Sequence, residues 1–166
     1  MKKIYTILIV LLACNMLFAQ QQAPKGSDKI IIKNDKSASD NFISVKLILA
    51  EKGIEIASQD KDIYQLKTGV APVTKYGAGA YYVVFCKDNS IRLTGMFNTG
   101  FQLNMLVKDT DPLIQIVNRG MKGSLFNEAW KAMNELAATL GGDISYTGGI
   151  DDMVKIKPDP KKNDVY

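Results

Sequence analysis

The chain has 166 residues and no histidine. That absence excludes Ser-His-Asp and Cys-His catalysis, HExxH metalloproteases and the ordinary zinc sites. Its 21 basic and 17 acidic residues leave a net charge of +4, dispersed without the aromatic-and-arginine stripe of a nucleic-acid binder, so no nucleic-acid partner is expected.

In chain order, Lys2 and Lys3 precede an apolar run from Ile4 to Ala13, and the stretch closes on Leu17-Phe18-Ala19-Gln20. A basic start, a short apolar stretch and a small-residue exit read as a signal peptide over residues 1–19, too short to span a bilayer comfortably. Export to the periplasm or cell envelope is the expectation. Two processing routes stay open. Cleavage after Ala19 suits an ordinary signal peptidase, whereas Leu11-Leu12-Ala13-Cys14 is similar to the lipobox of bacterial lipoproteins, which would make Cys14 an acylated residue. A membrane tether follows only in the second case. Ordinary cleavage removes Lys2 and Lys3, lowering the net charge, and leaves Cys86 as the one cysteine, so no intramolecular disulfide forms. Val84 and Phe85 place Cys86 in an apolar strand, as a buried and inert thiol.

Residues 20–27 read as a flexible leader, residues 28–147 as a single globular domain, and residues 148–166 as a disordered tail. Ile30-Ile31-Ile32 is a short buried strand. Ser37 to Asp40 supply N-caps for a helix over 40–52, with Phe42, Val45, Leu47, Ile48 and Leu49 on its apolar face and Gly53 as its stop. Ile54–Ser58 and Ile63–Thr68 pattern as a hairpin around Asp60-Lys61-Asp62. Gly77-Ala78-Gly79 precedes a strand, which makes it a connection and not a dinucleotide loop. Tyr81 to Cys86 is apolar on both faces, so this strand lies centrally with a cover on each side. Ile91, Leu93 and Phe97 alternate with Arg92 and Thr94 on the next strand.

Phe101, Leu103 and Met105 alternate with polar residues, as a strand or an amphipathic arm. Asp109 and Asp111 lack the glycine and distal glutamate of a calcium loop and read as a turn. Leu113 to Val117 is strand-like. Arg119-Gly120-Met121-Lys122-Gly123-Ser124 opens a second helix, capped by Ser124 or Asn127, with Trp130, Met133, Leu136, Ala137 and Leu140 on one face and Gly141-Gly142 at its end. Glu128 and Glu135 share a solvated flank of it. Ile144-Ser145-Tyr146 is a short extended piece.

The order β-α-β-β-β-β-(insertion)-α predicts an α+β fold, an antiparallel sheet with two helices packed on one face. This order over residues 28–147, together with Asn118 to Ser124 and the Phe18-Ala19-Gln20 exit, resembles small exported domains of Bacteroidetes that have no assigned activity. They are likened to the TATA-binding-protein or helix-grip fold, and the resemblance implies that fold and transfers no catalytic role.

Two surfaces carry functional expectations. Arg119, Gly120, Lys122, Gly123 and Ser124 place cations and backbone N–H groups at a helix start, suited to an anion or a partner carboxylate. Tyr81 and Tyr82 suit an interface on the sheet face that the helices leave bare. That face needs a cover: the 99–117 segment, a second subunit, a partner or an apolar ligand. The expectation is a non-enzymatic exported module without cofactor, metal or catalytic residues, binding an unidentified envelope protein or component. A carrier of a small apolar or anionic ligand between sheet and helix is the alternative, and an enzyme of unknown type is third.

Overall fold

The computed structural model describes residues 23–73, 77–98 and 113–148. The expected signal peptide over residues 1–19, Cys14, the stretch holding Phe101 to Asp111 and the expected tail beyond Gly148 lie outside the described residues. The elements are β1 (Lys29–Lys33), α1 (Ala38–Glu51), β2 (Ile56–Asp60), β3 (Gln65–Thr68), β4 (Ala71–Pro72), β5 (Gly79–Lys87), β6 (Ser90–Asn98), β7 (Ile114–Gln115), α2 (Leu125–Leu140) and β8 (Asp143–Thr147). The fold is α+β: among the described residues it has one eight-stranded antiparallel sheet and two helices. Among the described residues no helix is long and apolar enough to cross a membrane.

The sheet runs β2-β3-β5-β6-β1-β8, with β4 also on β5 and β7 also on β6. Its centre is the long β5–β6 hairpin, paired from Gly79↔Asn98 to Lys87↔Ser90, and Asn89 in the turn takes a positive φ of 59°. Each long strand is flanked by two short ones set end to end. β1 takes β6 from Ser90 to Leu93 and β7 takes it at Met96 and Phe97. β3 and β4 divide β5 in the same way.

Register fixes which side chains share a face, because alternate residues of a strand point to opposite sides. Ile30 pairs with Leu93, Leu93 with Val84, and Val84 with Leu66. All of these are fully buried, in one core with Val45 and Leu49 of α1 and with Trp130, Met133 and Ala137 of α2. Both helices therefore lie against one face. Burying each such aliphatic side chain contributes roughly 1.5–3 kcal/mol.

The helices start and stop for local reasons. Ser37 is extended and its hydroxyl accepts from the Asp40 N–H at 3.1 Å. At the far end Ile54 N–H reaches Leu49 O and Gly53 N–H reaches Ala50 O, with Gly53 at φ 65°. This is the double closure that a left-handed glycine permits. Leu47, expected on the packed face, is instead 60% exposed. It sits two residues from both Val45 and Leu49, about 200° round a helix of 3.6 residues per turn, and so points away from the core beside the exposed Ile43. In α2 the expected stripe of Trp130, Met133, Leu136, Ala137 and Leu140 is buried in full.

The expected flexible leader is tied down from Ala23 onward. Asn118 Nδ2 donates to the carbonyls of Ala23 and Pro24 at 2.8 and 2.9 Å. Gly26 N–H bonds Asn118 O and Asn118 N–H bonds Ser27 O, and Ser27 is fully buried. The 23–27 segment thereby carries the chain from β1 across to the entry of α2. Ile144-Ser145-Tyr146, expected only as an extended piece, belongs to an edge strand paired with β1 from Lys29↔Thr147 to Lys33↔Asp143.

Candidate functional site

β5 carries large side chains on both faces, and the structure separates them. Ala80, Tyr82, Val84 and Cys86 enter the core, while Tyr81, Val83 and Phe85 are half-buried on the other side. Tyr82, expected at an interface with Tyr81, is corrected to a core residue at 3% exposure. Its partner Gly95 leaves room for the ring, since a Cβ there would come within 3.0 Å of Tyr82 and 2.8 Å of Ile116. Burial, with Glu135 as a smaller contributor, pushes the Tyr82 phenol up to about 12. Burial likewise raises the Cys86 thiol to about 12.

Both groups bind their protons more tightly when folded than when unfolded. Their contribution to stability is whole below the ordinary values of 9.0 and 10.0 and is lost as pH rises through about 12. Native protein at pH 8 is expected to leave Cys86 unalkylated by iodoacetamide over hours, while denatured protein alkylates fully. Rapid native labelling would contradict the packing around β5.

The face away from the helices is built by pairing. Tyr81 stands opposite Met96, Val83 opposite Thr94 and Phe85 opposite Arg92. Ile31 of β1 continues the row beyond Arg92, and Ser145 of β8 follows Ile31. The result is an apolar stripe of Phe85, Val83, Tyr81 and Met96 on β5 and β6, with Ile31 of β1 set beyond Arg92. The Tyr81 hydroxyl meets Met96 Sδ at 3.3 Å. Cations lie over the rings: Lys67 Nζ is 4.5 Å from the Tyr81 centroid, Arg92 is 5.0 Å and Lys87 Nζ 5.4 Å from that of Phe85. Such pairs hold long basic side chains over aromatic rings at about 0.5–1 kcal/mol each. No described helix packs on this face.

Of the expected cover, residues 113–117 are described, and they extend the sheet. β7 lies beside β6, Ile116 enters the core on the helix side, and Gln115 donates to Asp28 Oδ2 at 2.8 Å.

The 119–124 segment forms a capped helix start. Gly120 and Gly123 take φ of 90° and 81°. Ser124 is the N-cap, its hydroxyl accepting from Asn127 N–H at 3.3 Å, and Asn127 Oδ1 accepts from Gly123 N–H at 3.4 Å. Several of the donors expected to meet an anion are thus engaged locally. The Arg119 guanidinium is stacked 4.1 Å from the centre of the Phe126 ring, Lys122 is solvent-exposed, and Glu128 adds a carboxylate in the first turn. The segment therefore does not converge on the Tyr81 face as one site.

The space between helices and sheet is filled by side chains such as Phe97, Trp130 and Met133. A cleft of about 440 Å3 lies elsewhere, between the β1–α1 loop and the α2–β8 turn, lined by Lys33, Asn34, Asp35, Lys36, Leu140 and Asp143 among others. Among the described residues no three of Asp, Glu and Cys gather as metal ligands. Glu135 is solvated and lies 3.9 Å from Lys131.

Sequence reasoning singled out Tyr81 but not the cation over its ring, because Lys67 is remote in sequence and is delivered by the β3–β5 register, Lys67↔Val83. Compared with models of known protein families and with curated proteins, the chain matches none.

Proposed function

We propose that the protein is an exported, non-enzymatic module that binds a protein or envelope component on the sheet face opposite its helices. The carrying observation is the apolar stripe of Phe85, Val83, Tyr81 and Met96, with Ile31 beyond Arg92 and the basic side chains of Lys67, Lys87 and Arg92 over its rings. Half-buried aromatic rings with a polar tip or a cation nearby suit a surface that is wetted when free and dried when occupied. Export rests on the signal-peptide reading of residues 1–19, and the likeness to exported helix-grip domains enters as an analogy of fold.

The test is native mass spectrometry of the protein gently extracted from its own host's envelope. We expect a complex larger than the single chain that Val83→Asp dissociates and the double change Arg119→Ala, Lys122→Ala leaves intact. A small non-covalent mass on the single chain would favour the ligand carrier instead. Dissociation by the 119/122 pair alone would move the site to the start of α2.

A further inference from the structure

We infer that the occupant of the sheet face that no described helix covers is an acidic amphipathic helix of a partner protein. The inference rests on the proposed use of that face and adds the chemistry of what it takes.

Charge comes first. The four central strands, β3, β5, β6 and β1, present Lys67, Lys87, Arg92, Lys33 and Lys29 on this side and no carboxylate. Acidic residues on the same side are Asp60 opposite Gln65 and Asp143 opposite Lys33 on the edge strands, and Asp28 ahead of β1, which is engaged by Gln115 and Lys29. Among the described residues Lys29 pairs with Asp28 at 3.6 Å, while Lys67, Lys87, Arg92 and Lys33 have no carboxylate within 4.0 Å. Three of the four rest on the stripe or its edge through the rings of Tyr81 and Phe85. Lys67, Lys87 and Arg92, held over an apolar floor and without acidic partners among the described residues, present an electrostatic complement to carboxylates flanking an apolar ridge.

Shape comes second. Four strands spaced about 4.8 Å apart give a floor about 14 Å across, which accommodates one helix of roughly 10–12 Å diameter. The opposite face of this sheet already packs helices in that manner. The floor is partly covered by its own neighbours: Tyr81, Val83, Phe85, Ile31 and Met96 are only half-exposed, among longer basic side chains. Leucine-type side chains at i, i+3, i+4 and i+7 of a helix reach between those basic side chains to the apolar floor. The most protruding apolar side chains, Met121 at 84% and Val70 at 69% exposure, lie off this stripe.

The test places a photo-crosslinking amino acid at Val83 in the full chain, expressed in its own host, and identifies the adduct by mass spectrometry. We expect a peptide adduct in which Asp or Glu flanks an apolar stripe at helical spacing. The yield should fall at least about tenfold in the double charge reversal Lys67→Glu, Arg92→Glu, while circular dichroism of the purified variant stays unchanged.

A lipid or nucleic-acid adduct, or a peptide without acidic flanks, would overturn the acidic helix and leave the face as a binding surface. A yield indifferent to charge reversal would do the same. No adduct at Val83, combined with an adduct from the same residue placed at Lys122, would overturn both the inference and the choice of face. No adduct at either position would also overturn the inference.

Discussion

Val84→Asp is expected to cost about 4 kcal/mol or more of folding stability, whereas Val83→Asp, its neighbour, costs about 1 kcal/mol or less. The two valines share a strand, a residue type and a position in the middle of β5, and differ only in face. Val84 is fully buried between Leu66 and Leu93, with the helices closing over it. A carboxylate there is left without a hydrogen-bonding partner or must take up a proton, and it also deletes the packed methyl groups. Val83 is half-buried on the far side, opposite Thr94 and beside Lys67, where a carboxylate keeps water and gains a cation. Urea unfolding followed by the fluorescence of Trp130, the single tryptophan, measures both. Equal losses would mean that the far face is as buried as the helix face, and the proposed binding surface would disappear with that result.

Asn41→Leu is expected to cost about 2–4 kcal/mol, a large effect for a polar residue in the first turn of a helix. Asn41 is fully buried. Its Nδ2 donates to Lys87 O at 2.9 Å and to Asn34 Oδ1 at 3.2 Å, and its Oδ1 accepts from Asn34 Nδ2 at 2.7 Å. One amide therefore joins the β1–α1 loop, the start of α1 and the end of β5. Leucine fills the volume and leaves Lys87 O and the Asn34 amide without these partners. Asp88→Ala is the contrasting change, because the Asp88 carboxylate accepts from Ala38 N–H at 2.8 Å at an exposed site, where water replaces it at a cost of about 1 kcal/mol or less. Comparable losses for the two variants would contradict the burial of the Asn41 network.

These residues also show what a sequence can and cannot disclose. The α+β architecture was legible, because the caps Ser37 and Ser124, the stops Gly53 and Gly141 and the apolar stripe of α2 are local signals. The phase of β5 was not. A strand apolar on both faces says that Tyr81 and Tyr82 point opposite ways without saying which is inside. The answer lies in the pairing Val84↔Leu93, which locks β5 to the clean alternation of β6. Asn41 escaped for a related reason: an asparagine near a helix start reads as a surface or capping residue. Only the loop from Asn34 to Lys36 folding over it turns it into a core amide. The tie between Asn118 and the 23–27 segment depends on residues more than 90 positions apart in sequence, and a composition rich in Pro, Gly and Ser gives no hint of it.

Methionine oxidation tests the choice of surface most directly, because each candidate carries one: Met96 in the sheet-face stripe and Met121 in the 119–124 segment. Side-chain footprinting by hydroxyl radicals compares the purified protein with the protein in its host's envelope. We expect Met96, with Tyr81 and Phe85, to be oxidised in the free protein and protected in the envelope, while Met121, at 84% exposure, is oxidised equally in both. Protection of Met121 with unchanged oxidation of Met96 would contradict the sheet-face account and place the contact at the start of α2.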